Sequence, residues 1–169
     1  MEKEPWDSST EKAKSLTAWD FGSLDEVREM AKMPRKAGSK AEAIAILKGI
    51  ASKGNLAGKS GALVSLSGKS IEKMLNDPAL HQSFSIAAHW QAAANIDKLF
   101  SNAMEPWKYE LNPGKNNENL KDRGYFYAPM EHCERIVIVK LTVKEYMQIE
   151  SGRRLYSIEA IDVDLLAKK

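Results

Sequence analysis

The chain has a single cysteine, Cys133, in 169 residues. One thiol cannot close an internal disulfide, which excludes a stapled secreted scaffold and points to a reducing, cytoplasmic setting. Long apolar runs are missing as well. None approaches the roughly 20 residues that a helix needs to span a bilayer, so no membrane partner is expected. The first ten residues are charged and polar, without the apolar core of a secretory signal. The three histidines, His81, His89 and His132, share no metal-ligand spacing. No metal and no cofactor are therefore expected. Walker A, Gly-x-Gly-x-x-Gly, Gly-x-Ser-x-Gly and His-Glu-x-x-His patterns are all lacking. So are helix-turn-helix and zinc-finger patterns, which argues against sequence-specific DNA reading. Cys133 does neighbour His132, but adjacent residues on an extended chain face opposite ways, which speaks against a dyad.

What is present is a chain with 43% apolar and 28% charged residues, enough to bury one core at about one domain's length. The net charge of +2 conceals an uneven spread. Residues 1–29 carry eight acids and four bases, whereas residues 32–69 carry eight bases and only one acid, Glu42. A basic stretch of this kind either steers a polyanion to one side of the molecule or is the solvated face of a helix and its loops.

The periodicities place helices first and strands after them. Residues 1–36 read as a polar tail carrying a short helix, Leu24 to Met33, with Ser23 and Glu26 as a capping box and Pro34 as its stop. A domain is expected over residues 37–169. It begins with a helix from Lys40 to Ser52 closed by Gly54, a small-residue connector, a short strand over Ala62–Leu66 and a helix over Lys69–Asn76. A long helix is predicted from Phe84 to Met104, with Ile86, Trp90, Ala93, Ile96, Phe100 and Met104 as its buried stripe. Residues 110–123 read as a loop. Three extended segments follow: Tyr125–Ala128, Arg135–Lys144 and Arg154–Val163. In the second, Val137, Val139, Leu141 and Val143 face one way, and Ile138, Lys140 and Thr142 the other. In the third, Leu155, Ile161 and Val163 are set against Tyr156 and Ile158, with Gly152 at the turn. The expected fold is α+β, with N-terminal helices and a long central helix packed on a small twisted antiparallel sheet.

The residues able to carry chemistry are His89 on the long helix, Lys69 at a helix start, Arg123, Tyr125 and Tyr127 on the first sheet strand, and Lys140, Thr142 and Ser157 on the hairpin. Metal-free RNA cleavage needs a base for the 2′-hydroxyl, an acid for the leaving oxygen, and a cation with hydroxyls around the phosphate. Ordinary roles compete: a histidine satisfied inside the core, a surface lysine, tyrosines in sheet packing.

The order of segments adds a further indication. Gly49, Asn55 and Gly58, then Leu63-Val-Ser-Leu66 and Gly68-Lys-Ser-Ile-Glu-Lys-Met74, precede His89 on its alanine-rich helix. Arg123-Gly-Tyr-Phe-Tyr-Ala-Pro129, Ile138-Val-Lys-Leu-Thr-Val-Lys-Glu145 and Leu155-Tyr-Ser-Ile-Glu-Ala-Ile161 come after it. Over residues 40–165 this set resembles the barnase–EndoU–colicin E5/D–RelE-like (BECR) nuclease-fold domains of large polyvalent proteins from phages and mobile elements. The resemblance implies a metal-independent endoribonuclease acting by 2′-hydroxyl attack. It puts His89 and Lys69 first, as acid or base and as phosphate-binding cation, with Thr142, Tyr127 and Tyr156 behind them. Arg123, Lys140 and Ser157 serve as substrate contacts. It also implies RNA, a protein inhibitor or a larger polyvalent chain as partners. Two other expectations stand beside it: a non-catalytic RNA- or protein-binding module of the same fold, and a structural domain of an assembly. The nuclease expectation requires His89 and Lys69 to converge in one cleft on the sheet.

Overall fold

The computed structural model describes residues 21–59, 63–104, 109–111, 120–147 and 154–165, with backbone alone at 109–111, 120–123, 145–147 and 154–155. The polar segment before Phe21 and the turn at Gly152 lie outside these residues. Six helices precede the main sheet among the described residues: α1 Leu24–Ala31, α2 Lys40–Ala51, α3 Gly68–Met74, α4 Asp77–Gln82, α5 Ile86–Ala94 and α6 Ile96–Asn102. A two-stranded ribbon, β1 Leu56–Ala57 with β2 Leu63–Val64, separates α2 from α3. The strands β3 Tyr109–Leu111, β4 Leu120–His132, β5 Arg135–Met147 and β6 Arg154–Leu165 form an antiparallel sheet in chain order. The α+β architecture is the one expected.

Helix boundaries follow capping chemistry. At α1 the Glu26 N–H donates to Ser23 Oγ while the Ser23 N–H donates to Glu26 Oε1, the reciprocal box read from the sequence. At the other end of α2, Gly54 takes φ +108°, which an L side chain resists. The predicted long helix is two. Asn95 leaves helical geometry, and its buried amide accepts from the Arg35 N–H and donates to the Arg35 and Gln91 carbonyls. A side chain that competes with the backbone for hydrogen bonds interrupts the helix at that point. The stripe also differs from the expected one. Ile86 is exposed, and Ala88, His89, Ala92, Ala93, Ile96, Leu99 and Phe100 are buried. Helix α4 is an addition to the expected elements: proline suits a helix's first turn, and Asn76 Oδ1 caps the Ala79 N–H. β1 falls in the expected connector, and most of β3 together with residues 120–123 of β4 falls in the expected loop over residues 110–123.

One face of the sheet is the core. Phe126, Ala128 and Met130 of β4, Val137, Val139, Leu141 and Val143 of β5, and Ile158, Ile161 and Val163 of β6 pack there against the helices. The Phe100 and Phe126 rings meet at 5.2 Å. The two inward residues Ile158 and Ile161 are three apart, which a regular strand forbids. A bulge accounts for it: Val143 pairs with Ile158 and Thr142 with Ala160, leaving Glu159 as the extra residue. The expected assignment of Ile158 and Ile161 to opposite faces is thereby corrected.

The edge at β6 is capped rather than bare. The Ser65 N–H donates to the Tyr156 carbonyl and the Ile158 N–H to the Ser65 carbonyl, while the Phe84 N–H donates to the Val163 carbonyl. At the opposite side α1 packs on β4, with Val27 and Ala31 fully buried. The described part of residues 1–36 is thus integral to the packing.

Candidate functional site

The face of the sheet turned away from the core is ordered by register. Cross-strand rows run Arg123–Lys144–Ser157, Tyr125–Thr142–Ala160 and Tyr127–Lys140–Asp162. Most of the polar strand residues singled out in the sequence share this face because they alternate with the core positions. Toward β4 it is covered by Phe21 and Met104, which pack on Tyr125, Tyr127 and Ile138. Toward β6 it stays open as a cleft of about 380 Å³ whose lining includes Tyr125, Lys140, Thr142, Lys144, Glu159 and Asp162. Lys73 of α3 and the stretch from Asn76 to Gln82 around α4 form its wall.

Glu159 is the hub. Its side chain is only 11% exposed. Oε2 accepts from the hydroxyls of Ser70 at 2.6 Å and Ser157 at 2.8 Å. Ser70 is itself held by Ser67, whose hydroxyl donates to it at 3.0 Å. Oε1 points toward two ammonium groups, Lys73 at 3.7 Å and Lys144 at 4.0 Å. One oxygen is therefore fixed by short neutral donors, and the other faces cations beyond hydrogen-bond length. Beside it Lys140 lies 3.7 Å from Asp162 and 5.0 Å above the Tyr125 ring. Lys140 and Lys144 are 12% and 19% exposed, so charge is gathered in a partly dry groove. Such pairs return little net stability for their desolvation.

His89 and Lys69 do not converge. His89 is fully buried on the core side. The Met74 carbonyl can only accept, so His89 Nε2–H donates to it at 2.8 Å; Nδ1 then accepts from the Ser83 hydroxyl at 2.7 Å. Ser83 Oγ in turn accepts from the Val163 N–H at 2.8 Å. Burial pushes the imidazole below its ordinary value, against the opposing pull of the Met74 carbonyl and of Asp162. A neutral ring with both nitrogens engaged and no opening to solvent is a structural tie. Lys69 is exposed on α3 and does not line the cleft.

The remaining candidates divide. Lys140 and Thr142 line the cleft, and Ser157 reaches it through Glu159. Tyr127 lies on the same face but beneath Phe21 and Met104. Tyr156 packs toward the core. Arg123 sits opposite Lys144 in the backbone register. Glu159, Lys73, Lys144 and Asp162 were not singled out in the sequence. The available signal was the three-residue step from Ile158 to Ile161, which announces a bulge. Among the described residues no three His, Cys, Asp or Glu side chains gather to hold a metal ion, and no helix is long and apolar enough to cross a membrane.

Fold and cleft define an α+β domain with helices on one face of an antiparallel sheet and a charged cleft on the other. The chain belongs to the large polyvalent protein-associated domain 3 family, whose profile matches residues 35–156, more than half of its length. The polyvalent-protein part of the resemblance is thereby established. Comparison with curated proteins and with solved structures returns no match.

Proposed function

We propose that this domain binds RNA in the outer-face cleft and cleaves it without a metal ion. The observation that carries the reading is Glu159, lifted out of the pleat by a bulge, with one carboxylate oxygen turned to the ammonium groups of Lys73 and Lys144. In this reading Glu159 Oε1 takes the proton of a ribose 2′-hydroxyl. The 2′-oxygen attacks the adjacent phosphorus and the bond to the 5′-oxygen breaks. A proton from Lys73 neutralises the leaving oxygen, giving a 2′,3′-cyclic phosphate and a 5′-hydroxyl. Lys140, Lys144 and the Thr142 hydroxyl balance the charge that develops on the phosphate. Ser70 and Ser157 orient the base. Tyr125 and Arg123 are assigned to substrate contact, and His89 is given a structural role.

A second reading is favoured by the completeness of the Glu159 Oε2 contacts: a satisfied charge network also suits a static phosphate-binding surface. One assay separates the two. Total RNA and tRNA are incubated with the protein in EDTA, alongside folded Glu159→Gln and Lys144→Ala. Cleavage by the wild type that falls about 10²- to 10⁴-fold in Glu159→Gln supports the nuclease. Undiminished cleavage by that variant removes Glu159 from the chemistry. Intact RNA with salt-sensitive binding leaves the non-catalytic module.

A further inference from the structure

We propose that the bound strand leaves the cleft along α3, where Lys69 holds a flanking phosphate. The ligand is then a single-stranded RNA segment several nucleotides long. This rests on the RNA reading of the cleft and extends it to a surface outside it.

Lys69 and Lys73 are four residues apart on α3, so they are neighbours on one side of the helix, with about 5–6 Å between their Cβ atoms. Lys73 reaches to 3.7 Å from Glu159. Ser70 is buried, and its hydroxyl is bound to the same carboxylate, which fixes the roll of α3 about its axis. With that roll set, Lys69 stands one turn outside the cleft on the flank that Lys73 begins. Ser67, Gly68 and Lys69 are all exposed, and a Cβ on Gly68 would meet nothing within 4 Å, so the way along this flank is open. The charges differ in kind. Lys73, Lys140 and Lys144 each face a carboxylate, whereas among the described residues Lys69 has no ionic partner. Lys69 also ends the stretch of eight bases and one acid over residues 32–69, which the cleft does not use. A strand followed outward from Glu159 therefore meets Lys69, held in no ion pair among the described residues, on this side, and on the other the α4 wall of Pro78, Ala79 and Gln82.

The test is fluorescence polarisation with labelled single-stranded RNAs of about 3 and about 12 nucleotides, lengths that fall below and within the usual single-strand site sizes. All chains carry Glu159→Gln to suppress turnover. Adding Lys69→Ala is expected to weaken the longer probe roughly five- to tenfold and to lower its log–log salt slope by about 0.7, with the short probe changed less than about twofold. Lys69→Arg should restore the longer probe. Lys140→Ala should weaken both probes alike. Equal affinity and slope for the longer probe with and without Lys69 overturns the extension and leaves the cleft reading standing. Failure of the longer probe to bind when Lys69 is present overturns both.

Discussion

His89 of α5 and Asn95 at the break after that helix are buried polar residues, and each acts by completing hydrogen bonds between segments distant in sequence. His89 ties the end of α3 and the edge of β6 to α5 through Met74 and Ser83. Its native value is depressed by burial, so the unfolded chain binds the proton more readily. The stability this neutral ring contributes is complete above about pH 6.5 and is lost as pH falls from there through the lower native value, at up to about 1.4 kcal/mol per pH unit. Urea denaturation at stepped pH should show that slope, and a folded His89→Gln chain should lack it. Asn95 satisfies three backbone groups at the break between α5 and α6. Asn95→Ala strands them, and about 2–4 kcal/mol of stability should disappear in the same measurement, more than an exposed asparagine could lose.

Elements are shaped here by two local departures from regularity. The hairpin between β4 and β5 turns through Cys133 and Glu134, both in left-handed backbone at φ 51° and 61°. Two-residue turns of this kind favour Asn-Gly. Replacing the pair with Asn-Gly should raise stability by about 1 kcal/mol, seen as a higher melting temperature, because glycine adopts that conformation without strain. The second departure is the bulge in β6. Deleting Glu159 restores plain alternation, since Ile158 and Ala160 then follow one another with Ile161 still facing the core. The deletion should retain the native circular dichroism and cooperative unfolding but abolish the proposed cleavage. Loss of folding would instead make the bulge a structural requirement of the strand.

At the scale of the whole molecule, the sheet is covered unequally. Its core face is sealed by helices, while among the described residues its outer face is covered toward β4, by Phe21 and Met104 over Tyr125, Tyr127 and Ile138. The segment from Phe21 through α1 lies ahead of the family match, which begins at residue 35. A chain starting at residue 35 should expose the tyrosine cluster, bind the dye ANS and unfold at lower temperature, since it also loses the fully buried Val27 and Ala31. An unchanged melting profile would mean that α1 only rests on the sheet.

The α+β class and the alternation of β5 were determined by the sequence itself, because period and local capping act between near neighbours. The Ser23–Glu26 box is one example, and Val137 to Val143 is another. The positions of Lys140 and Thr142 on one polar face followed from the same alternation, whereas Ser157 joins them only through the bulge in β6. Which residues share a cleft was decided only by the tertiary structure. Glu159 and Ser70 are 89 residues apart, and their hydrogen bond depends on α3 crossing the β6 edge and on a bulge that rotates one residue out of register. For His89 the choice between a catalytic group and a histidine satisfied inside the core needed the same information. An imidazole suits catalysis, but the roll of α5 turns it inward between Met74 and Ser83, with Ala88, Ala92 and Ala93 buried beside it. Burial is a property of packed elements: helical spacing put His89 in line with Ala93, Ile96 and Phe100, and only the packing of α5 decided that the imidazole is enclosed.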